Sequence, residues 1–255
     1  VQKLQLTRLT ANMTSHEILI WFIEPETIQD PARLSRFLQW LSPEERAQHA
    51  RFRFDKHRHT YLVSHALMRG ALSLATQVEP AQFAFQTNAY GKPFVAEPAQ
   101  HQAVHFNLSH TEGLAAIAIS RHTELGVDVE NKHRQDMTQT LAEHFFATEE
   151  CEEVAQSSEH ERTIKMLEFW TLKESYIKAV GQGLSIALDS FAFKLATATQ
   201  PAYLLRLDAP GSDRNAWGFW QGQPTENHLM ALAFKSDPTR PTRVRAQRAQ
   251  WLAQA

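Results

Sequence analysis

Twice along this chain a short run of β-branched and aromatic residues gives way to helical periodicity and then to a series of short strands. That repeated order limits the possible folds more than any other feature. In the first pass, EILIWFIE reads as a strand that stops at Pro25. After Asp30-Pro31 the spacing of Leu34, Phe37, Leu38 and Leu41 is helical. Ser42-Pro43-Glu44-Glu45 then has the order of an N-cap, an N1 proline and an acidic first turn. Tyr61, Leu62, Ala66, Met68, Leu72 and Leu74 carry a long helical pattern to Val78, where Glu79-Pro80 halts it. QFAFQ, NAYGKPFV, VHFNLSH and GLAAIAIS follow as short strands.

The second pass opens at LGVDVE, runs through helical stretches at 138–156 and 161–180, and ends in SFAFKLA, AYLLRLD, GFWQGQ and HLMALAFK. Helices segregated from antiparallel strands in each half predict an α+β fold. The expected form is two similar α+β subdomains in a pseudo-twofold relation, each a small antiparallel sheet packed with helices. The repeat is one of element order, without identity at a fixed period. It divides the chain into residues 1–122 and 123–255. The stretch from about residue 236, rich in Pro, Arg and Gln, is expected to wrap the surface or fray.

Composition narrows the function classes. With 43% hydrophobic and 21% charged residues the chain can bury a substantial core. A net charge of −2 argues against a nucleic-acid partner, which would call for a basic face. The apolar run Ile18 to Ile23 is too short to span a membrane and lacks the small-residue cleavage pattern of a signal peptide. A soluble protein of the reducing cytoplasm is the expectation. Cys151 is the only cysteine, and its acidic flanks (ATEECEEV) disfavour a thiolate, so it reads as structural rather than nucleophilic.

The residues that suggest chemistry lie in the second half. Asp128 and Glu130 are two apart on the LGVDVE strand, so their side chains leave one face while Val127 and Val129 leave the other. Glu174, in the helical FWTLKESYIKA, supplies a third carboxylate. Lys173 and Lys178 accompany it, Lys178 at i+4 on the same helix face. Three carboxylates suit Mg²⁺, a hard ion commonly completed by substrate phosphate oxygens, and a diphosphate is the natural third party. Taken singly, each motif has a plainer reading: D-x-E as a solvated strand edge, and E-x-x-x-K as a surface ion pair.

GVDVE followed by FWTLKESYIKA resembles the paired signature of the 4'-phosphopantetheinyl transferase superfamily. The resemblance extends, in the family's order, through YGKP at Tyr90 to Pro93 and FNLSHT at Phe106 to Thr111. FFATEE at Phe145 to Glu150 and the helix RHTYLVSHALMRGALS also fit. Length and two-half layout are similar to the larger, monomeric, surfactin-synthetase-activating type, and the match covers roughly Arg51 to Ala192.

The resemblance implies transfer of the 4'-phosphopantetheine arm of coenzyme A to a serine of an apo acyl or peptidyl carrier protein, releasing adenosine 3',5'-bisphosphate. Asp128, Glu130 and Glu174 would hold Mg²⁺ on the coenzyme A diphosphate, and Lys178 would meet the charge developing there. A carboxylate or a metal-bound water would take the serine proton, with Glu149 the family-matched base and Glu174 the alternative. Lys92, Ser109 and His110 fall where the family contacts coenzyme A, and Lys173 is counted with them. The basic cluster Arg51, Arg53, Lys56 and Arg58 is suited to the 3'-phosphate. Thr60 stands where the family pattern has an arginine, with Arg58 the nearby substitute. Two other classes use similar residues. One is a metal-dependent phosphohydrolase or nuclease; the other is a module that binds coenzyme A or carrier proteins without reaction.

Overall fold

The computed structural model describes residues 16–134, 136–137, 139–209 and 213–254. The protein is α+β, with helices beside several small sheets, and it divides into two compact units. Among the described residues, one comprises 16–87, 93–122 and 243–254; the other comprises those within 88–92 and 123–242.

In the first unit, β1 (Glu17–Ile23) is buried along its whole length, as an apolar run in a central strand should be. α1 (Pro31–Trp40) starts where Asp30 accepts from the Ala32 N–H at 3.1 Å. α2 (Pro43–Arg51) opens on a complete capping box. The Glu45 N–H donates to Ser42 Oγ at 3.2 Å, and the Ser42 N–H donates to Glu45 Oε2 at 2.8 Å. α3 (Asp55–Thr76) ends at Gln77, whose φ of 65° places it in the left-handed region ahead of Glu79-Pro80.

β2 (Ala84–Thr87) and β3 (Pro93–Glu97) form an antiparallel pair. β4 (His105–Thr111) and β5 (Leu114–Ser120) form a hairpin that pairs with β1 through β5. The core between α3 and the sheet gathers Phe37, Trp40, Leu67, Phe106, Ile117 and Trp251.

The end of the chain departs from expectation. Residues Arg243–Arg248 form β11, paired in parallel with β1 so that Val244 lies opposite Ile18, which makes the order β11-β1-β5-β4 a mixed sheet. An otherwise open edge of β1 is thereby hydrogen-bonded. Beyond it, Trp251 is buried and packs edge-on to Trp21, ring centroids 6.1 Å apart. Residues from 243 on therefore group with the first unit, not with the C-terminal half.

In the second unit the helical stretch expected at 138–156 is two helices, α4 (Gln139–Phe145) and α5 (Thr148–Ala155), before α6 (Glu159–Val180). β6 (Leu125–Asn131) lies at one side of β10 (His228–Lys235), with β9 (Trp217–Thr225) at the other, all antiparallel. β7 (Phe191–Lys194) and β8 (Tyr203–Leu207) form a separate pair. Phe169, Tyr176, Phe191, Phe193 and Phe219 fill the core beneath α6. Among the described residues no helix is long and apolar enough to cross a membrane.

Candidate active site

The second unit brings β6 and α6 together more closely than ordinary side chains permit. A Cβ added at Gly126 would lie 2.3 Å from both the Ser175 carbonyl oxygen and the Ala179 nitrogen, so the start of the GVDVE strand needs glycine to let strand and helix touch. Further along β6, Val127 and Val129 are buried, and Asp128 and Glu130 share the opposite strand face. On α6, Trp170, Glu174 and Lys178 recur at successive turns. Lys178 Nζ donates to Asp128 Oδ1 at 2.6 Å. Arg134, just past β6, pairs with Glu130.

The electrostatics follow from this crowding. Burial, then the neighbouring charge of Asp128, pushes Glu130 up to about 7, against the opposing pull of Arg134, Lys178 and Trp170. Glu174 is raised for the same two leading reasons. Three carboxylates on facing elements, two of them disfavoured as anions by burial and by Asp128, offer oxygen alone and fit a hard divalent cation by their chemistry. Among the described residues, no three His, Cys, Asp or Glu side chains already converge as ligands. Asp128 is instead drawn to Lys178, and Glu130 to Arg134.

Comparison with known proteins decides the family. Two family models cover most of the chain: 4'-phosphopantetheinyl transferase superfamily at residues 124–233, and 4'-phosphopantetheinyl transferase, N-terminal, at 29–122. The 4'-phosphopantetheinyl transferase HetI of Nostoc sp. is 30% identical over 221 residues, 87% of this chain and 89% of HetI. The chain belongs to the 4'-phosphopantetheinyl transferase superfamily.

Sfp of Bacillus subtilis is 32% identical over 160 residues, 63% of this chain and 69% of Sfp. A phosphopantetheinyl transferase of Thraustochytrium sp. is 29% identical over 217 residues, 80% of this chain and 73% of that protein. Likeness to solved structures is partial. The holo-[acyl-carrier-protein] synthase of Thermotoga maritima aligns with a TM-score of 0.36 at 19% identity, over 45% of this chain and 63% of that one. The protein is thus an enzyme that transfers 4'-phosphopantetheine to carrier proteins, of the larger, Sfp-like type. The phosphohydrolase and binding-only alternatives are not favoured.

Several residues expected at the site of such a transferase do other work. Lys173 is fully buried, and its ammonium donates to the Leu188 and Phe191 carbonyls at 2.7 and 2.8 Å and pairs with Glu150 at 2.7 Å. Its three protons are committed inside the unit, to two carbonyls and one carboxylate. Glu149 pairs with Arg206 at 2.9 Å, and that hydrogen bond holds its carboxyl below the usual range. A carboxylate stabilised in this way is a poor proton acceptor, which argues against Glu149 as the base.

Lys92, expected to grip phosphate, instead donates to the Leu125 carbonyl at 3.1 Å and the Ala179 carbonyl at 2.8 Å. It ties the start of β6 to the end of α6, and burial lowers it to about 8. Cys151 is half-buried, and burial pushes its thiol up, as a structural role requires.

The remaining candidates lie in the first unit. His110 lies on β4, in the segment VHFNLSH expected as a strand, and its neighbour Ser109 points to the other face of that strand. Ser109 is buried and His110 exposed. Arg58, in the first turn of α3, donates to the Phe52 carbonyl at 2.8 Å and pairs with Asp55 at 3.0 Å. Arg53 stands 5.7 Å from the Phe54 ring centroid.

Sequence reasoning missed Trp170 and Arg134. Trp170 was within reach, since it precedes Glu174 by four residues on one helix. Arg134 lies in an irregular turn where no periodicity applies. Glu150 was missed because FFATEE offers two adjacent acids, and only burial tells them apart.

Proposed function

We propose that Asp128, Glu130 and Glu174 hold Mg²⁺ on the diphosphate of coenzyme A, and that the acceptor is the serine of an apo acyl or peptidyl carrier protein. The observation that carries this reading is the Gly126 contact, which presses β6 onto α6 and gathers the carboxylates with Lys178. When bound, the ion offsets the negative charge of the diphosphate.

This chain's residues supply the rest. Lys178, now on Asp128, is placed to meet charge developing on the leaving phosphate. With Glu149 tied to Arg206, Glu174 is the carboxylate left on this face to accept the serine proton. The serine oxygen forms a bond to the phosphorus bearing pantetheine. The anhydride P–O bond breaks, and adenosine 3',5'-bisphosphate leaves with its electron pair. No covalent enzyme intermediate is needed.

Arg53 and Arg58 are proposed for the 3'-phosphate, and Ser109 and His110 for other parts of coenzyme A. A monomer acting in the cytoplasm, without nucleic acid or membrane partners, accords with the net charge of −2 and the single cysteine.

The test is to incubate the protein with an apo carrier protein, coenzyme A and Mg²⁺, and to weigh the carrier by intact mass spectrometry. A gain of one phosphopantetheine that disappears with EDTA and in Glu174→Ala supports both reaction and metal site. No gain with several unrelated apo carriers would sink the reading.

A further inference from the structure

Arg134 is held from three sides. Its Nη1 donates to Glu130, its Nε and Nη2 straddle the two oxygens of Asp136, and its guanidinium lies 5.4 Å from the Trp170 ring centroid. The turn that carries it is fixed by Asn131, whose Oδ1 accepts from the His133 N–H at 2.8 Å and whose carbonyl accepts from the Arg134 N–H at 3.1 Å. This is a built position, on a side chain only a quarter exposed.

We propose that Arg134 is a stand-in cation: it neutralises Glu130 in the metal-free enzyme, must release that carboxylate when a divalent ion binds, and so sets the affinity of the site for metal. The inference rests on the metal reading given above. Glu130 and Asp128 are buried neighbours on one strand face, and when both are ionised the pair is costly without positive charge beside it. Arg134 and Lys178 provide it, one cation for each carboxylate.

A divalent ion requires the same carboxylate oxygens, so the arginine and the ion compete. Release requires no refolding, because the far edge of the guanidinium stays forked on Asp136 and its face stays on Trp170. Only the Glu130 bond is given up.

The experiment uses the full chain without coenzyme A. Mn²⁺ binding is measured by electron paramagnetic resonance and Mg²⁺ by competition, for wild type, Arg134→Gln and Arg134→Lys. Thermal midpoints are recorded in EDTA and in saturating Mg²⁺. Arg134→Gln is expected to bind Mn²⁺ roughly three- to tenfold more tightly, the span that loss of one partly exposed charged hydrogen bond allows.

Arg134→Lys keeps the charge but loses the fork, and should fall between the two. The midpoint of Arg134→Gln should drop more in EDTA than in Mg²⁺, where only the contacts to Asp136 and Trp170 are lost. Unchanged or weaker Mn²⁺ binding in Arg134→Gln, or an equal midpoint loss in both conditions, overturns the proposal while leaving the metal site standing. A wild type that binds no Mn²⁺ removes the metal reading and this proposal together.

Discussion

Lys173 Nζ stands 2.7 Å from Glu150 Oε2, and neither side chain has any exposure. Glu150 also accepts from the Ala147 N–H at 2.9 Å and the Phe193 N–H at 2.8 Å, so one ion pair joins α5, α6 and β7. Removing one partner leaves a buried charge uncompensated. Lys173→Met is therefore expected to cost about 3–5 kcal/mol, read from the urea midpoint. The coenzyme A affinity of the fraction that stays folded should be unchanged. A variant that folds normally yet loses coenzyme A would restore Lys173 to the ligand set.

Gly126→Ala tests the contact that builds the site. The new methyl meets backbone atoms at 2.3 Å, which no rotamer can relieve, so β6 must move away from α6. A loss of about 3 kcal/mol or more is expected, at the upper end for overpacking. Divalent-ion affinity should fall with it, because Asp128 and Glu130 ride on the strand and Glu174 on the helix. Stability lost with full metal affinity would show that the carboxylates do not depend on this approach.

The legible parts of this molecule are those where local pattern and burial agree. β6 and α6 could be read because alternation on a strand and i+4 spacing on a helix each put the acidic residues on one face. Lys173 was misread because sequence adjacency to Glu174 was taken for proximity. Neighbours on a helix point about 100° apart, and this one points into the core.

β11 was illegible for a different reason. RVRAQR offers only Val244 and Ala246 on one face, and its place is set by the edge of β1, more than two hundred residues earlier in the chain. Arg134 was hidden because its partners are fixed by a turn rather than by a period.

Glu149 and Glu174 offer competing accounts of the proton acceptor, and the pair can be separated. With Arg206 donating to it, Glu149 is stabilised as an anion at the surface. Glu149→Gln should leave the transfer rate within about threefold of wild type, whereas Glu174→Ala should lower it by at least about a hundredfold, as expected for a carboxylate proposed both to hold the ion and to accept the proton. Single-turnover transfer to an apo carrier protein measures both. A hundredfold loss in Glu149→Gln, with Glu150 and the fold intact, would return the base to α5.

Acid should weaken the first unit through Glu45. Burial works against its charge, but hydrogen bonds from His65 and the Ser42 N–H, together with the charge of Arg69, outweigh it and lower the carboxyl to about 2. Arg69 is itself buried and bonds Glu45 at 2.7 Å, so the pair is little screened. A folded pKa below the unfolded one means that the unfolded chain binds more protons in between.

The contribution is therefore complete above the unfolded value of 4.5 and is lost as pH falls toward 2. Its size is at most about 3 kcal/mol. Glu45→Gln should lower the urea midpoint at pH 7 and lose most of that difference by pH 2.5, where Glu45 of the unfolded chain is almost fully protonated and the folded group is nearing its own pKa. A difference of equal size at both pH values would place the effect in packing or in the helix cap, and not in the charge of Glu45.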